Sequence, residues 1–299
     1  MNGILPLWKP KGMTSHDCVM RIRRLFGTKK VGHTGTLDPE VEGLLPICIG
    51  QATKVVPYLM ETNKTYIAEV KLGIATDTED SEGQIITRKE VSTPPSEQAV
   101  KSALQAFKGE IVQVPPMYSA VKVNGKKLYE YARANETVER PKRKVIIYDI
   151  LSLPSKKQNK TTFRLKVVCS KGTYIRTLCV DIGKKLGYPA HMSDLIRTET
   201  GSFTEEESVT FDTIEETIKN GRQEKLLLPM VRGLQHLKRL SIDEEGMKAR
   251  ILHGQKLSKP DSVVKAEPFI FMFNDQLLAI YQIHPEKPDL IKPVRVFNG

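Results

Sequence analysis

Hydrophobic and polar positions divide this 299-residue chain into short segments of two different periods. Across residues 65–73, Tyr66, Ala68, Val70 and Leu72 alternate with Ile67, Glu69 and Lys71, the period of two that predicts a strand. Residues 4–8, 145–153 and 161–169 also read as strands. Elsewhere the period is helical. Val19, Ile22, Leu25 and Phe26 fall on one face of a helix that Ser15 can cap and Gly27 can stop. Val100, Ala103, Leu104 and Phe107 predict a helix over 96–107. Ile175, Leu178, Cys179, Ile182 and Leu186 predict another over 173–186, closed by Gly187. Strands and helices mixed without a regular βαβ repeat predict an α+β fold rather than a doubly wound one.

Two stretches differ in character. Residues 121–144 are polar, basic and rich in turn formers, as expected of a flexible insertion that orders on a partner. After about residue 230, a helix-like run over 243–253 precedes short apolar runs at 268–273, 277–283 and 290–297, which read as a small β-rich module. The expected division is therefore 1–230 and 231–299.

Composition narrows the function classes. The net charge of +11 and pI near 9.3 suit a polyanionic partner. The charge is segregated. Residues 1–30 carry seven Lys or Arg against one acid, residues 120–145 carry eight against three, and Glu205, Glu206 and Glu207 stand together in an acidic stretch. That predicts one basic face, although a solvated basic surface would have the same composition. No run is apolar and long enough to span a bilayer, and the basic stretches lack the apolar face of a membrane-surface helix. The N-terminus lacks the pattern of a signal peptide. Cys18, Cys48, Cys169 and Cys179 form no CxxC pair and sit in apolar runs, which predicts reduced packing residues in a cytoplasmic protein and no zinc site.

The chemistry is concentrated in residues 31–46, Val-Gly-His-Thr-Gly-Thr-Leu-Asp-Pro-Glu-Val-Glu-Gly-Leu-Leu-Pro. Three glycines and two prolines restrict or free the backbone around a single aspartate, Asp38. Gly32, Gly35 and Gly43 allow dihedrals or close approaches that a side chain would block, and Pro39 pushes Asp38 out of helical geometry. A carboxylate fixed in this way can act as nucleophile or general base. It can equally be an Asx turn that bonds only its own backbone.

The segment Gly32-His33-Thr34-Gly35-Thr36-Leu37-Asp38-Pro39 resembles the catalytic motif of the TruB-type tRNA pseudouridine synthases. The likeness continues upstream in Trp8-Lys-Pro-Lys-Gly-Met-Thr-Ser15. Downstream it includes Lys64-Thr-Tyr66, Pro115-Pro-Met-Tyr-Ser-Ala-Val-Lys122 and Lys171-Gly-Thr-Tyr-Ile-Arg176, in family order to about Gly201. The resemblance implies a pseudouridine synthase catalytic fold, with a mixed sheet and flanking helices. It also implies an RNA-gripping insertion near 121–144 and a C-terminal PUA-like domain. Asp38 becomes the nucleophile and Arg176 the arginine paired with it, a guanidinium able to chelate a carboxylate by two parallel bonds. Tyr66 becomes the aromatic that stacks on the target base and assists proton transfer, and Leu195 the apolar lining of the pocket. Ile196 stands where many relatives carry arginine.

His33 is expected to contact RNA, Lys9 to support the aspartate loop at the substrate site, and Lys142, Arg143 and Lys144 to grip phosphate. The implied reaction turns a T-loop uridine, position 55, into pseudouridine. It breaks N1–C1′ and rejoins the base through C5, with no cofactor and no metal. The expected partner is the T arm of tRNA, bound by a monomer without an obligate protein partner. Two other classes compete: a non-catalytic RNA-binding protein of the same fold, and a guide-RNA-dependent relative that needs partner proteins. An intact Asp38, Tyr66 and Arg176 argues against the first, and the absence of long basic tails against the second.

Overall fold

A computed structural model describes residues 1–154 and 161–298. The first strand, β1 (Gly3–Lys9), leads into helix α1 (Ser15–Leu25) and then into β2 (Val31–His33), β3 (Glu42–Ile49) and the short helix α2 (Val56–Met60). Next come β4 (Lys64–Leu72), the hairpin β5 (Ile74–Thr76) and β6 (Ile85–Arg88), helix α3 (Glu97–Gln105) and strand β7 (Gly109–Gln113). A second hairpin, β8 (Lys122–Val123) and β9 (Lys126–Lys127), runs into α4 (Leu128–Arg133). The long strands β10 (Arg143–Leu153) and β11 (Thr162–Cys169) precede α5 (Ile175–Lys185), β12 (Ala190–Thr200), β13 (Phe203–Thr204) and α6 (Phe211–Lys219). The chain ends in β14 (Lys238–Ile242), α7 (Glu245–Leu252), β15 (Leu257–Ser258), β16 (Phe269–Phe273), β17 (Gln276–Ile283) and β18 (Leu290–Val296).

Among the described residues, the main sheet has nine strands, in the order β1-β3-β12-β4-β11-β10-β7, with β2 on β3 and β13 on β12. All its pairs are antiparallel except β12 with β3, which meet in parallel at Ile196↔Glu42 and Arg197↔Gly43. The α+β expectation holds. The period-two run became β4, at the middle of the sheet, with β12 and β11 on its two sides. Helices α1, α3 and α5 cover the sheet through Val19, Ile22, Val100, Leu104, Leu178 and Ile182. A second sheet, β14-β16-β17-β18-β15, forms the β-rich C-terminal part.

Three expectations change. Thr14, not Ser15, caps α1: its hydroxyl accepts from Asp17 N at 3.0 Å while the Asp17 carboxylate accepts from Thr14 N at 2.9 Å. Residues 121–133 are folded, because Asn124 and Gly125, both at positive φ, form a tight hairpin turn and Leu128 buries its side chain completely. Arg143 and Lys144 lie outside that insertion. They open β10 and pair with Gln113 and Val112 of β7.

Candidate active site

The segment around Asp38 is held on both sides by residues from the start of the chain. On its N-terminal side, the Ser15 hydroxyl accepts from Leu37 N at 2.9 Å and donates to Leu37 O at 3.3 Å. On its C-terminal side, the Pro39 carbonyl accepts from Gly12 N at 3.0 Å and from Lys9 Nζ at 2.9 Å. A turn closed by Val41 N on Asp38 O at 3.1 Å fixes the residue itself. Leu37 and Val41 pin the segment into the core. Only Gly35 and Gly43 of the three glycines use positive φ; a Cβ on Gly43 would stand 2.4 Å from Arg197 O. Asp38 is therefore an anchored side chain that opens into a cavity, not an Asx turn on the surface.

That cavity has a volume of about 990 Å³. Asp38, Tyr66, Arg176, Leu195 and Arg197 line it together with Tyr118, Ser119 and Tyr129, and the exposed Arg143, Lys144 and Lys171 stand at its rim. Arg176 leaves the first turn of α5 and is 7% exposed, so it is not a helix-surface arginine. Its Nε lies 3.1 Å from Asp38 Oδ2. The expected two-bond chelation of Asp38 is absent, because the other guanidinium nitrogens are committed elsewhere. Nη1 donates to Thr78 O at 2.9 Å and lies 3.5 Å from Asp80 Oδ2, and Nη2 donates to Tyr118 O at 2.9 Å. Arg176 thus ties three segments, those of Asp38, Thr78–Asp80 and Tyr118, to the start of α5.

Burial pushes the Asp38 carboxyl above its usual range, Arg176 opposes that shift, and the nearby Asp80 charge adds to it. Burial likewise raises the Tyr66 phenol, with the Arg197 guanidinium pulling it down. Lys64 lies just before Tyr66 on β4. Its Nζ caps the end of α2 through the carbonyls of Met60 and Thr62, and burial pulls its pKa down to about 8.

Sequence reasoning missed Arg197 and Asp80. Arg197 is 1% exposed and pairs in register with Tyr66 across β12 and β4. Its Nε donates to Leu44 O at 2.8 Å and its Nη2 to Gly35 O at 3.2 Å. It is the arginine next to Ile196, so the cavity wall carries a guanidinium despite that departure.

Other expected residues fall in different places. Lys9 has no exposed surface and supports the loop from below, so it cannot touch substrate in this conformation. His33 is outside the cavity lining; its Nδ1 accepts from Gly35 N at 3.3 Å, and burial lowers its pKa. Leu195 lines the cavity. Arg143 and Lys144 stand at the rim, Lys144 paired with Glu110 at 2.9 Å, whereas Lys142 is exposed and off the lining. Among the described residues, no cluster of three or more His, Cys, Asp or Glu could hold a metal ion, and no helix is long and apolar enough to cross a membrane.

Residues 23–175 match the N-terminal domain of the TruB family of pseudouridylate synthases, and residues 176–237 match a tRNA pseudouridylate synthase B C-terminal domain. The chain is 62% identical over 298 residues to tRNA pseudouridine synthase B of Oceanobacillus iheyensis, covering 99% of this chain and 98% of that one. It is 53% identical over 301 residues to the protein of that name from Bacillus licheniformis, covering 99% and 97%. Among solved structures, a chain of a Cbf5-Nop10-Gar1 complex matches with a TM-score of 0.76 and 29% identity, over 99% of this chain and 84% of that one.

Proposed function

Because the chain belongs to the TruB family of pseudouridylate synthases, we propose that it isomerises one uridine in the T loop of tRNA, position 55, with Asp38 as nucleophile. The carrying observation is the Asp38 carboxylate, anchored on both sides and set 3.1 Å from a buried guanidinium at the end of a cavity. The uridine must leave its stack to reach it, at a cost of a few kcal/mol. Tyr66 supplies a face for the extruded base and Leu195 keeps water away from it. Asp38 adds an electron pair to the nucleotide, and the N1–C1′ pair leaves with the base. The base turns, C5 bonds to C1′, the bond to Asp38 breaks with its electron pair returning to the carboxylate, the C5 proton is lost and N1 takes a proton. Atoms and oxidation level are unchanged, so the reaction calls for no redox partner. The Tyr66 phenol is the nearby relay for the C5 proton.

Arg143 and Lys144 at the rim, and Lys142 beside it, grip phosphates. Lys9 acts through the Asp38 loop, and His33 meets RNA outside the cavity. Residues 231–299 serve as a PUA-like RNA-binding unit beside a catalytic unit of residues 1–230. The enzyme works as a monomer without an obligate protein partner. The relatives named for tRNA are far more similar to this chain than the Cbf5 chain found in a multiprotein complex, which supports autonomy.

The deciding experiment follows tritium release from 5-tritiated uridine in unmodified tRNA, with the product mapped by pseudouridine-specific primer extension. One modified T-loop uridine with wild type and none with Asp38→Asn is expected. Turnover by the variant would remove Asp38 from its role. RNA binding without release by wild type would point to a missing partner or guide.

A further inference from the structure

The cavity is larger than one extruded pyrimidine requires, and its lining has chemistry the isomerisation does not use. Among the lining residues is Tyr129, in the first turn of α4, half-buried. Two cations attend its ring. Lys127 Nζ and the Arg133 guanidinium both lie 5.3 Å from the ring centroid, and Lys127 Nζ also donates to the phenol oxygen at 3.2 Å. Lys144, Arg143 and Lys171 stand along the same rim, and among the described residues Arg143 is in no ion pair.

The wall is firmly tied to the catalytic arginine. Tyr129 N donates to Ser119 O at 3.2 Å, and the carbonyl of the neighbouring Tyr118 takes Arg176 Nη2. Ser119 itself is 6% exposed, and its hydroxyl has no hydrogen-bond partner among the described residues. A buried, unpaired hydroxyl is disfavoured, so this wall is left incompletely satisfied in the free protein.

An aromatic face ringed by cations is the arrangement that binds an unpaired base together with its phosphate. We propose that Tyr129 is a stacking platform for an unstacked nucleobase flanking the target uridine, so that the cavity takes two nucleotides, one on Tyr66 and one on Tyr129. The proposal rests on the reading of the cavity as the uridine site. Lys127 and Arg133 carry their charges on long flexible stems. A base can displace them from the ring, and they then meet its phosphate. Because every base has a π face, the platform selects for a flanking nucleotide that is free to unstack rather than for its sequence.

The test is a cycle between protein and RNA. Kd and kcat/KM are measured for wild type, Tyr129→Ala, Tyr129→Leu and Tyr129→Phe on a hairpin substrate and on hairpins with an abasic site just 5′ or just 3′ of the target. Tyr129→Ala should weaken binding to the intact hairpin about 5- to 150-fold. One of the two abasic hairpins should lose a similar factor with wild type, and the two changes together should lose little more than either alone. Tyr129→Phe should stay near wild type. Tyr129→Leu, which keeps the packing but not the aromatic face, should behave as Tyr129→Ala does. Losses that multiply at both abasic sites, no loss with Tyr129→Ala, or a Tyr129→Leu variant equal to wild type would each overturn the proposal. If wild type modifies no uridine, the isomerase reading fails, while the Kd cycle still decides the role of Tyr129.

Discussion

At the scale of single residues, Asp38 and Arg176 face opposing demands. The nucleophilic role proposed for Asp38 needs its carboxyl ionised, yet burial and the Asp80 charge hold it above the usual 3.8 against the opposing charges of Arg176 and Lys9. Activity should therefore fall on acidification at a pH above that value. Asp80→Asn removes the like charge and should move the acid limb of the kcat/KM profile to lower pH. A limb that stays in place would show that Asp38 does not sense Asp80. The same shift fixes the sign for stability. A raised folded pKa means that the charged form weakens the fold as pH rises through it. Asp38→Asn should thus leave the melting temperature at pH 7 unchanged or higher while abolishing turnover; a clear drop would contradict this. Arg176 is a different case. Its three nitrogens reach four partners, and an ammonium cannot reproduce that fork. Arg176→Lys should lower kcat about 100-fold through misplacement of the carboxylate, and near-normal kcat would place the arginine outside the reaction.

At the scale of elements, the site depends on how β3 and β12 meet. Gly43 lies against the Arg197 backbone at φ +125, where a Cβ would come within 2.4 Å of Arg197 O and 2.6 Å of Arg197 N. Gly43→Ala should destabilise the fold by about 3–5 kcal/mol, read as a lower denaturant midpoint, because both main-chain segments lie inside a sheet. A midpoint within experimental error of wild type would mean that the strands can part there.

This junction also marks where the sequence stopped being legible. The period-two run of β4, the helical faces of α1 and α5 and the specific motif around Asp38 could all be read along the chain. Arg197 could not be singled out, since its importance comes from register with Tyr66 more than a hundred residues away. Asp80 looked like any acid in Asp77-Thr-Glu-Asp80 until a loop brought it beside Arg176. Lys9 was assigned to the aspartate loop only through the motif it belongs to, because nothing local shows that its ammonium will meet the Pro39 carbonyl. Ser15 was read as a cap because that role is local. Its clamp on Leu37 spans 22 positions and depends on the tertiary fold. The Asn124-Gly125 turn was not singled out among the turn formers of 121–144, whose polar composition suggested a flexible insertion.

At the scale of the whole molecule, the proposed RNA contact of the +11 chain centres on Arg143 and Lys144 at the rim and on the adjoining exposed Lys142. Neutralising Lys142, Arg143 and Lys144 should flatten the dependence of RNA affinity on salt by about 0.7 in log–log slope for each lost contact to a single-stranded phosphate. An unchanged slope would remove them from the interface.

The larger question is whether the C-terminal sheet is an accessory. Strand β3 is buried on both faces: Leu45, Ile47 and Ile49 enter the core under α1, while Leu44 and Cys48 enter a second cluster. In that second cluster Ile4, Ala52, Val55 and Leu59 pack with Ile270, Met272, Leu277, Ile280 and Phe297 from the C-terminal sheet. Lys54 reinforces the contact, with its Nζ 2.7 Å from Val296 O and 5.6 Å from the centre of the Phe297 ring. Uncovering an aliphatic side chain costs about 1.5–3 kcal/mol, and several would be partly uncovered together, against a total stability of about 5–15 kcal/mol. A chain ending at Leu237 should therefore bind an apolar dye, unfold without a sharp transition and lose turnover. The intact chain should unfold in a single transition, because the second cluster belongs to both parts. A soluble, active fragment of residues 1–237 with its own sharp melting would show that the catalytic sheet is complete alone and that the C-terminal sheet contributes only RNA affinity.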